Sequence, residues 1–429
     1  MRRARSSPRP VIAEIIAVGS ELLLGGRTDS NSLFITDELG TVGIEVRFKS
    51  VVGDDRADIV RALKTAVARA EIIVMTGGLG PTVDDCTREA IADAAGRKLV
   101  RRQEAFEAMQ KRLAQWGRSP NKGQLRQALI PTGATVVPNP VGSAPGFWLS
   151  WRATMLISLP GVPAEMAAMM RESVVPLLSS RLKGRGRMPQ PIRRQVFHTW
   201  GISEADVDAK LQGLIPDKAP VDLGLLASPL GVLVSLTTKP QSNTAAERWA
   251  SLSESIRARL HEWIFAEGPE SMEEVVGRLL IQDKHTLALA ESCTGGLIGH
   301  RLTQVPGSSA YVDRGIICYS NNAKIDLLGV PADLIERHGA VSAEVAAAMA
   351  KGVRERSGVS IGLSVTGIAG PGGATATKPV GLVYVGLNAD NGETITREHR
   401  FHGDRSVIKQ RSSQAALDLL RRWLLSGCR

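Results

Sequence analysis

Ser292, Tyr319 and Lys324 are the residues of this 429-residue chain whose types and spacing could carry out covalent chemistry. Ser292 lies in Ala290-Glu291-Ser292-Cys293-Thr294-Gly295-Gly296, and Tyr319-Ser320-Asn321-Asn322-Ala323-Lys324 begins 27 residues beyond it. A hydroxyl whose proton can pass to a lysine or a tyrosine can attack an amide or ester carbonyl without a metal or a histidine. At a strand-to-helix turn the first helical amides lack intrahelical partners, and they could stabilise the resulting oxyanion. The alternative is that Ser292 or Thr294 only caps the helix. Cys293 is a rival nucleophile and a stronger one as thiolate, yet no His or Asn partner stands at a suitable local spacing. Lys324 must lose its charge to act as a base, and burial near a helix N-terminus or near Arg405 would lower its pKa in that direction. Thr366-Gly367-Ile368-Ala369-Gly370-Pro371-Gly372-Gly373 could cradle a phosphate monoester or be a plain loop. Gly403-Asp404-Arg405 offers a guanidinium for a phosphate or carboxylate.

The first part of the chain holds a different chemistry. Ile72-Ile73-Val74-Met75 runs into Thr76-Gly77-Gly78-Leu79-Gly80-Pro81-Thr82-Val83-Asp84-Asp85-Cys86-Thr87. Such a turn lets backbone N–H groups approach a phosphate, while adjacent carboxylates could hold a divalent cation bridging phosphates. A tight strand-to-helix turn capped by Asp is the plainer alternative. Leu159-Pro160-Gly161-Val162-Pro163-Ala164-Glu165-Met166 repeats the arrangement, and the loop Asn139 to Phe147 adds small residues that permit close ligand approach.

Elements must position these groups, and their periodicity is that of an α/β protein. Strands are predicted over Val11–Val18, Glu45–Val51, Glu71–Met75, Ala134–Val137, Gly146–Leu149 and Thr154–Ile157. Helices are predicted over Asn31–Val42, Asp55–Ala70, Thr87–Ala95 and Gln103–Trp116, which completes a Rossmann-like layer pattern over residues 10–180. The stretch Arg181 to Pro191, rich in Gly, Pro and basic residues, reads as a boundary. Residues 190–268 form a small α+β connector, with strands at Arg193–Thr199 and Gly231–Thr238, a Ser-capped helix at Ser203–Gln212 and a long helix at Ala245–Phe265. Residues 271–429 read as an α/β/α sandwich around a mixed sheet. Its strands fall at Thr286–Ala290, Gly315–Tyr319, Gly362–Thr366, Leu382–Leu387 and Glu393–Phe401, its helices at Met272–Asp283, Thr294–Gln304, Ala343–Arg356 and Ser406–Leu425.

Composition narrows the function classes. Hydrophobic content of 43% and charged content of 22% describe a globular chain. Much of the net charge of +10 sits in Met1 to Pro10, with Arg2, Arg3, Arg5 and Arg9, and in Arg181, Lys183, Arg185, Arg187, Arg193 and Arg194. A solvated tail and a basic linker explain it better than a nucleic-acid face, since three tyrosines and seven phenylalanines leave little for base stacking. Cys86, Cys293, Cys318 and Cys428 show no zinc or disulfide spacing. The apolar run at Val11–Val18 is interrupted by Glu14 and does not read as a signal peptide. No run approaches the ~18 apolar residues of a membrane span, so a cytoplasmic protein that does not engage membranes is expected.

Gly19-Ser20-Glu21-Leu22-Leu23-Leu24-Gly25, Asp29-Ser30-Asn31, the Thr76 to Thr87 run and Leu159-Pro160-Gly161 together resemble the molybdopterin-binding-like (MoaB/MogA-type) domain that begins CinA, the competence/damage-inducible protein A family. The resemblance implies metal-dependent ADP-ribose pyrophosphatase activity. Asp84 and Asp85 then map to metal or water-activating carboxylates, Glu21, Asp29 and Asn31 to the ligand's surroundings, and Gly77, Gly78 and Gly80 to a phosphate cradle. The metal's identity is left open, and molybdopterin binding is an alternative for the same domain. Ser30 stands where threonine is expected. The connector resembles a KH-like fold without an evident Gly-x-x-Gly loop, and a spacer or homodimer contact is expected of it. Ala290 to Gly296, Pro306-Gly307-Ser308-Ser309, Tyr319 to Lys324, Leu328-Gly329-Val330, His338-Gly339-Ala340-Val341-Ser342, Thr366 to Gly373 and Gly403-Asp404-Arg405 resemble the family's C-terminal domain, a PncC-type nicotinamide-nucleotide amidase. That implies deamidation of nicotinamide mononucleotide without a cofactor, a step of pyridine nucleotide salvage. Ser292 maps to the nucleophile, Lys324 and Tyr319 to its activators, and Thr294, Gly295, Gly296, Thr366, Gly370, Gly372 and Arg405 to substrate contacts. Ala374-Thr375-Ala376-Thr377 departs from the expected Gly-Thr-Pro-Glu-like run before Lys378-Pro379, and Arg314 and Asn322 are unusual beside the active-site strand. An accessory competence or DNA-repair protein that works by binding partners is the reading from another class.

Overall fold

The computed structural model describes residues 10–25, 27–184, 190–216, 219, 221–238 and 245–426. Most of the basic tail, Arg185 and Arg187 of the linker, and Cys428 fall outside the described residues. The chain divides into two compact units, the second uniting most of the connector with the last domain.

In the first unit a six-stranded sheet runs in the order Ile44–Val52, Val11–Val18, Ile72–Thr76, Thr154–Leu159, Gly146–Trp151, Thr135–Val137. The first four strands are parallel, and the last two add antiparallel at one edge. Alternate side chains of Val11–Val18 and Ile72–Thr76 enter separate apolar clusters, Ile16, Val18, Ile73 and Met75 in one, Val11, Ala13, Ile15, Ile72 and Val74 in another. Strands buried on both faces need helices on both faces, and the continuous apolar runs already required this. The carboxyl ends of Val11–Val18, Ile72–Thr76 and Thr154–Leu159 therefore open side by side, each followed by a glycine-containing turn.

In the second unit the connector forms a four-stranded sheet in the order Val221–Ser228, Gly231–Thr238, Arg194–Thr199, Ile264–Glu267. The long helix expected to reach Phe265 stops at Leu260. Trp200 donates to the Trp263 carbonyl, and Ile264–Glu267 pairs antiparallel with Arg194–Thr199. Sheet hydrogen bonds from a distant strand thus override a helical periodicity that runs on through Phe265. The Val221–Ser228 strand escaped the sequence pattern because its second half is exposed and so shows no apolar alternation.

The last domain has five strands in the order Val312–Ile317, Leu287–Glu291, Ile361–Gly367, Leu382–Ala389, Thr394–Arg400, three parallel followed by two antiparallel, so the sheet is mixed as expected. Leu287 and Leu289 face the helices Met272–Gln282 and Arg405–Ser426, whereas Ala288 and Ala290 face the helix Ala343–Ser357. Tyr319 lies beyond its strand, which ends at Ile317 rather than at Tyr319. Cys318 makes the last rung to the Glu291 carbonyl, and Ser320 then caps the helix Asn321–Leu328. The helix expected from Thr294 starts at Leu297 instead, because Gly295 and Gly296 take left-handed φ values of 60° and 93°.

Gly77 has φ 110°, and a Cβ there would lie 2.0 Å from the Val18 carbonyl oxygen. Gly77→Ala is expected to destabilise the first domain by about 2 kcal/mol or more. Calorimetric unfolding of the full chain checks it, with the transition of the last domain unmoved.

Candidate functional site

Leu287–Glu291 is buried along its whole length and ends beside the ends of its two parallel neighbours. Ser292 follows at that carboxyl edge, where its amide donates to the Val365 carbonyl. Open α/β sheets place ligands outside the carboxyl ends of their strands. The Gly295 amide bonds the Ser292 carbonyl at 3.1 Å, which closes a tight turn around Ser292.

Glu291, only 2% exposed, fixes this turn. Its carboxylate accepts from the amides of Gly296 at 2.9 Å, Ile298 at 3.1 Å and Gly299 at 2.8 Å. The helix-end amides expected to meet an oxyanion are therefore already taken by this carboxylate. Its signal in the sequence was an acidic residue between an apolar strand and a Gly-Gly turn, which reads as a cap only once the turn's length is known.

Lys324 comes from the first turn of Asn321–Leu328, a short helix whose apolar pattern was too weak to be recognised. Capping by Ser320, whose hydroxyl accepts from the Ala323 amide, sets the helix so that Lys324 points inward. Its side chain is 1% exposed, and Nζ lies 3.1 Å from Ser292 Oγ, 2.9 Å from the Cys318 carbonyl and 3.4 Å from the Tyr319 carbonyl. Burial holds its ammonium below the ordinary lysine value. Among the described residues no carboxylate lies within ion-pair distance of it. The Cys293 thiol is buried too, and burial pushes it up to about 12, so the rival thiolate is disfavoured.

Tyr319 joins the group through its backbone. Its carbonyl accepts from Lys324, while its half-exposed hydroxyl accepts from Arg405 Nη2 at 2.6 Å. Arg405 Nη1 meanwhile donates to the Gly370 carbonyl at 2.7 Å, so the guanidinium braces Tyr319 against the glycine loop. Thr366 is buried, and its hydroxyl is spent on the Ala340 carbonyl at 2.8 Å. Thr294 Oγ1 is fully buried and has no hydrogen-bond partner among the described residues. Gly372 borders open space. The unusual run Ala374 to Thr377 is exposed but anchored. Lys378 Nζ, which the sequence did not mark out, bonds the carbonyls of His338 at 2.5 Å and Val341 at 2.7 Å, and Thr375 closes a local turn onto Lys378. Arg314 is an exposed residue paired with Asp313, and Asn322 is exposed on the Lys324 helix.

In the first unit, Glu21, Gly77, Gly78, Gly80, Asp84 and Asp85 line one cavity of about 520 Å³. Asn31 stands behind it, its Nδ2 bonding Thr76 Oγ1 and the Gly161 carbonyl at 2.9 Å each, with its Oδ1 buried and unpartnered among the described residues. Asp29 is the cap of Ser30–Thr41, accepting from the Ser32 amide. Asp85 binds its own loop, taking the amides of Gly80 and Thr82 at 2.8 Å each and the Thr82 hydroxyl. Asp84 is exposed, and the Thr82 hydroxyl beside it holds its carboxyl below the usual range. The Gly77 amide donates to the Leu159 carbonyl, so of the expected cradle only Gly78 keeps an amide without an acceptor among the described residues. Arg88, missed in the sequence, is buried under the turn and bonds the carbonyls of Leu79 at 2.7 Å and Gly80 at 3.0 Å.

Residues 14–180 match the family described as "Probable molybdopterin binding domain", residues 194–266 the "Damage-inducible protein CinA KH domain", and residues 269–424 the "CinA C-terminal domain". The order defines a protein with a MoaB-like domain, a KH connector and a CinA C-terminal domain. A CinA-like protein of Geotalea uraniireducens is 43% identical over 412 residues, covering 96% of this chain and 97% of its own. One from Thermosynechococcus vestitus is 42% identical over 421 residues, 96% and 99% of the two chains. The chain belongs to the CinA family. A solved competence/damage inducible protein from Agrobacterium tumefaciens is 44% identical over 35% of this chain and 94% of its own, with a TM-score of 0.34. No described helix is long and apolar enough to cross a membrane.

Removing the Glu291 carboxylate leaves three amides without their acceptor in a buried turn. Glu291→Ala is expected to lower stability by about 3 kcal/mol, whereas Ser292→Ala should change it by less than about 1 kcal/mol. Urea unfolding of both variants measures the difference.

Proposed function

We propose that the last domain is an amidohydrolase that deamidates nicotinamide mononucleotide through an acyl-enzyme at Ser292. The observation that carries this reading is the 3.1 Å contact between Ser292 Oγ and a fully buried lysine amine with no carboxylate partner among the described residues. A neutral amine has two N–H bonds and one lone pair. The carbonyls of Cys318 and Tyr319 take the N–H bonds, and the lone pair is left for the serine hydroxyl.

In this reading Ser292 Oγ attacks the carboxamide carbon as its proton passes to Lys324 Nζ. The oxyanion is held by the amides of the turn itself, at Cys293 and Thr294, since Glu291 occupies those of the helix. Collapse returns the proton from Lys324 to the departing nitrogen and releases ammonia. Lys324 then takes a proton from water, whose oxygen attacks the acyl carbon and frees nicotinic acid mononucleotide and Ser292. Tyr319 accepts from Arg405 and so keeps its own O–H to donate towards the leaving nitrogen. No cofactor enters these steps.

For the first domain we propose a metal-dependent nucleotide diphosphatase acting on ADP-ribose. Five carboxylates, Glu21, Asp54, Asp84, Asp85 and Glu165, line its cavity against one arginine, Arg27. Such a cleft repels a diphosphate unless a cation accompanies it. Among the described residues no three His, Cys, Asp or Glu side chains gather as a protein-only cage. Magnesium-like ions instead use one or two carboxylates together with substrate phosphates, and the exposed Asp84 fits that use. The ion would neutralise phosphate charge and polarise water, while Asp85 and Arg88 hold the turn's shape. The match to a molybdopterin-binding family favours binding without hydrolysis as the second reading.

Ammonia release from nicotinamide mononucleotide is expected of the wild-type protein, with kcat reduced at least about 1,000-fold in Ser292→Ala and Lys324→Met and retained in Cys293→Ser. Loss in Cys293→Ser with retention in Ser292→Ala would reverse the assignment. Because burial lowers the Lys324 pKa and the neutral amine is the active form, kcat/KM should rise with pH and level off below the ordinary lysine value of about 10.4. A flat profile would remove lysine as the base. AMP formation from ADP-ribose, dependent on added divalent metal and lost in Asp84→Asn, separates hydrolysis from binding in the first domain.

A further inference from the structure

Lys409 has no role in the sequence reading, yet it stands at the Ser292 turn. It lies one turn beyond Arg405 on the helix Arg405–Ser426, so the two side chains share a face. A Cβ built on Gly295 would sit 3.6 Å from Lys409 Nζ, which puts the ammonium directly against the nucleophile's turn. Its charge also reaches the neighbouring Cys293 thiol. Among the described residues it has no hydrogen bond and no ion pair, unlike the other cations around the site. Lys324 is held by Ser292 and two carbonyls, Arg405 by Tyr319 and Gly370, Lys378 by His338 and Val341.

That contrast redistributes the work of binding an anion. Arg405 already gives one N–H of each terminal nitrogen to the protein, which fixes its guanidinium between Tyr319 and Gly370. Thr366 has committed its hydroxyl proton to the Ala340 carbonyl. Lys409 is the one cation at this turn whose donors are uncommitted among the described residues. The Ser292 to Gly295 turn spans less than about 7 Å between Cα atoms, and the ammonium packs against its Gly295 end, so a substrate attacked by Ser292 lies on the same turn as Lys409.

We propose that Lys409 is the phosphate-recognition residue of the Ser292 site, selecting a nucleoside monophosphate over the corresponding nucleoside. This rests on the amidase reading of the last domain and names the group that distinguishes its substrate. The phosphate monoester accepts charge-assisted hydrogen bonds from the ammonium, and the contact is made equally before and during the attack, so it acts on binding rather than on the chemical step. Lys409 stands apart from the proton path from Ser292 to Lys324.

Steady-state deamidation by the full chain tests this, comparing nicotinamide mononucleotide with nicotinamide riboside. Lys409→Gln should raise KM for the nucleotide about ten-fold or more with kcat within two-fold, leave kcat/KM for the riboside unchanged, and regain most nucleotide affinity as Lys409→Arg. Equal losses on both substrates, a loss in kcat alone, or no change in KM for the nucleotide would each overturn the assignment. Calorimetric titration of the nucleotide into Ser292→Ala, with and without Lys409→Gln, keeps the two readings separate. A wild type without deamidase activity whose Ser292→Ala form still binds the nucleotide through Lys409 sinks the reaction and supports the contact. Binding that ignores Lys409 sinks the contact, whatever the activity, and absence of nucleotide binding sinks both.

Discussion

A buried amine with no counter-charge among the described residues organises the last domain. Lys324 costs free energy to bury as a cation, and the surroundings relieve that cost by lowering its pKa rather than by pairing it with a carboxylate. Two backbone carbonyls and Ser292 Oγ are its hydrogen-bond partners. Each depends on a separate element. Ser292 is delivered by Leu287–Glu291, the Cys318 carbonyl by the end of Val312–Ile317, and the amine by the capped helix that follows. Parallel pairing of the two strands fixes the first two relative to each other, and the short connection from Cys318 to Ser320 fixes the third.

The supporting contacts divide into those that shape the turn and those that shape the approach. Glu291 holds the Gly-Gly turn rigid by absorbing the positive end of the helix. Arg405 ties Tyr319 to the glycine loop across the opening, and Lys378 ties the base of that loop to the segment carrying Ala340. The substituted stretch Ala374 to Thr377 can therefore vary in sequence while the loop's root keeps its place. In the first domain an analogous division holds, with Asp85, Arg88 and Asn31 serving as scaffold and Asp84 left to face solvent.

Much of this was legible in the residue pattern. The apolar runs Ile72 to Met75 and Thr286 to Ala290 announced buried strands, and the glycines after them announced turns that side chains could not fill. Where local periodicity was weak or misleading, the pattern failed. The helix bearing Lys324 is too short and mixed to show a face, the Val221–Ser228 strand is half exposed, and Ile264–Glu267 continues a helical run that cross-strand pairing interrupts.

Residue types fixed the chemistry available: a hydroxyl, a lysine and a tyrosine near one turn, and carboxylates near another. Composition and run length also fixed two-faced sheets covered by helices, since apolar strands must be buried on both sides. Tertiary structure decided which of those groups remain free to act. It spent Thr366, Arg405, Asp85 and the helix amides on holding the protein together, and left Ser292 beside a neutral-prone Lys324, and Lys409 without a partner among the described residues. The reason is that hydrogen-bond capacity is consumed by neighbours brought together from far along the chain, and a sequence shows donors and acceptors but not which have already met.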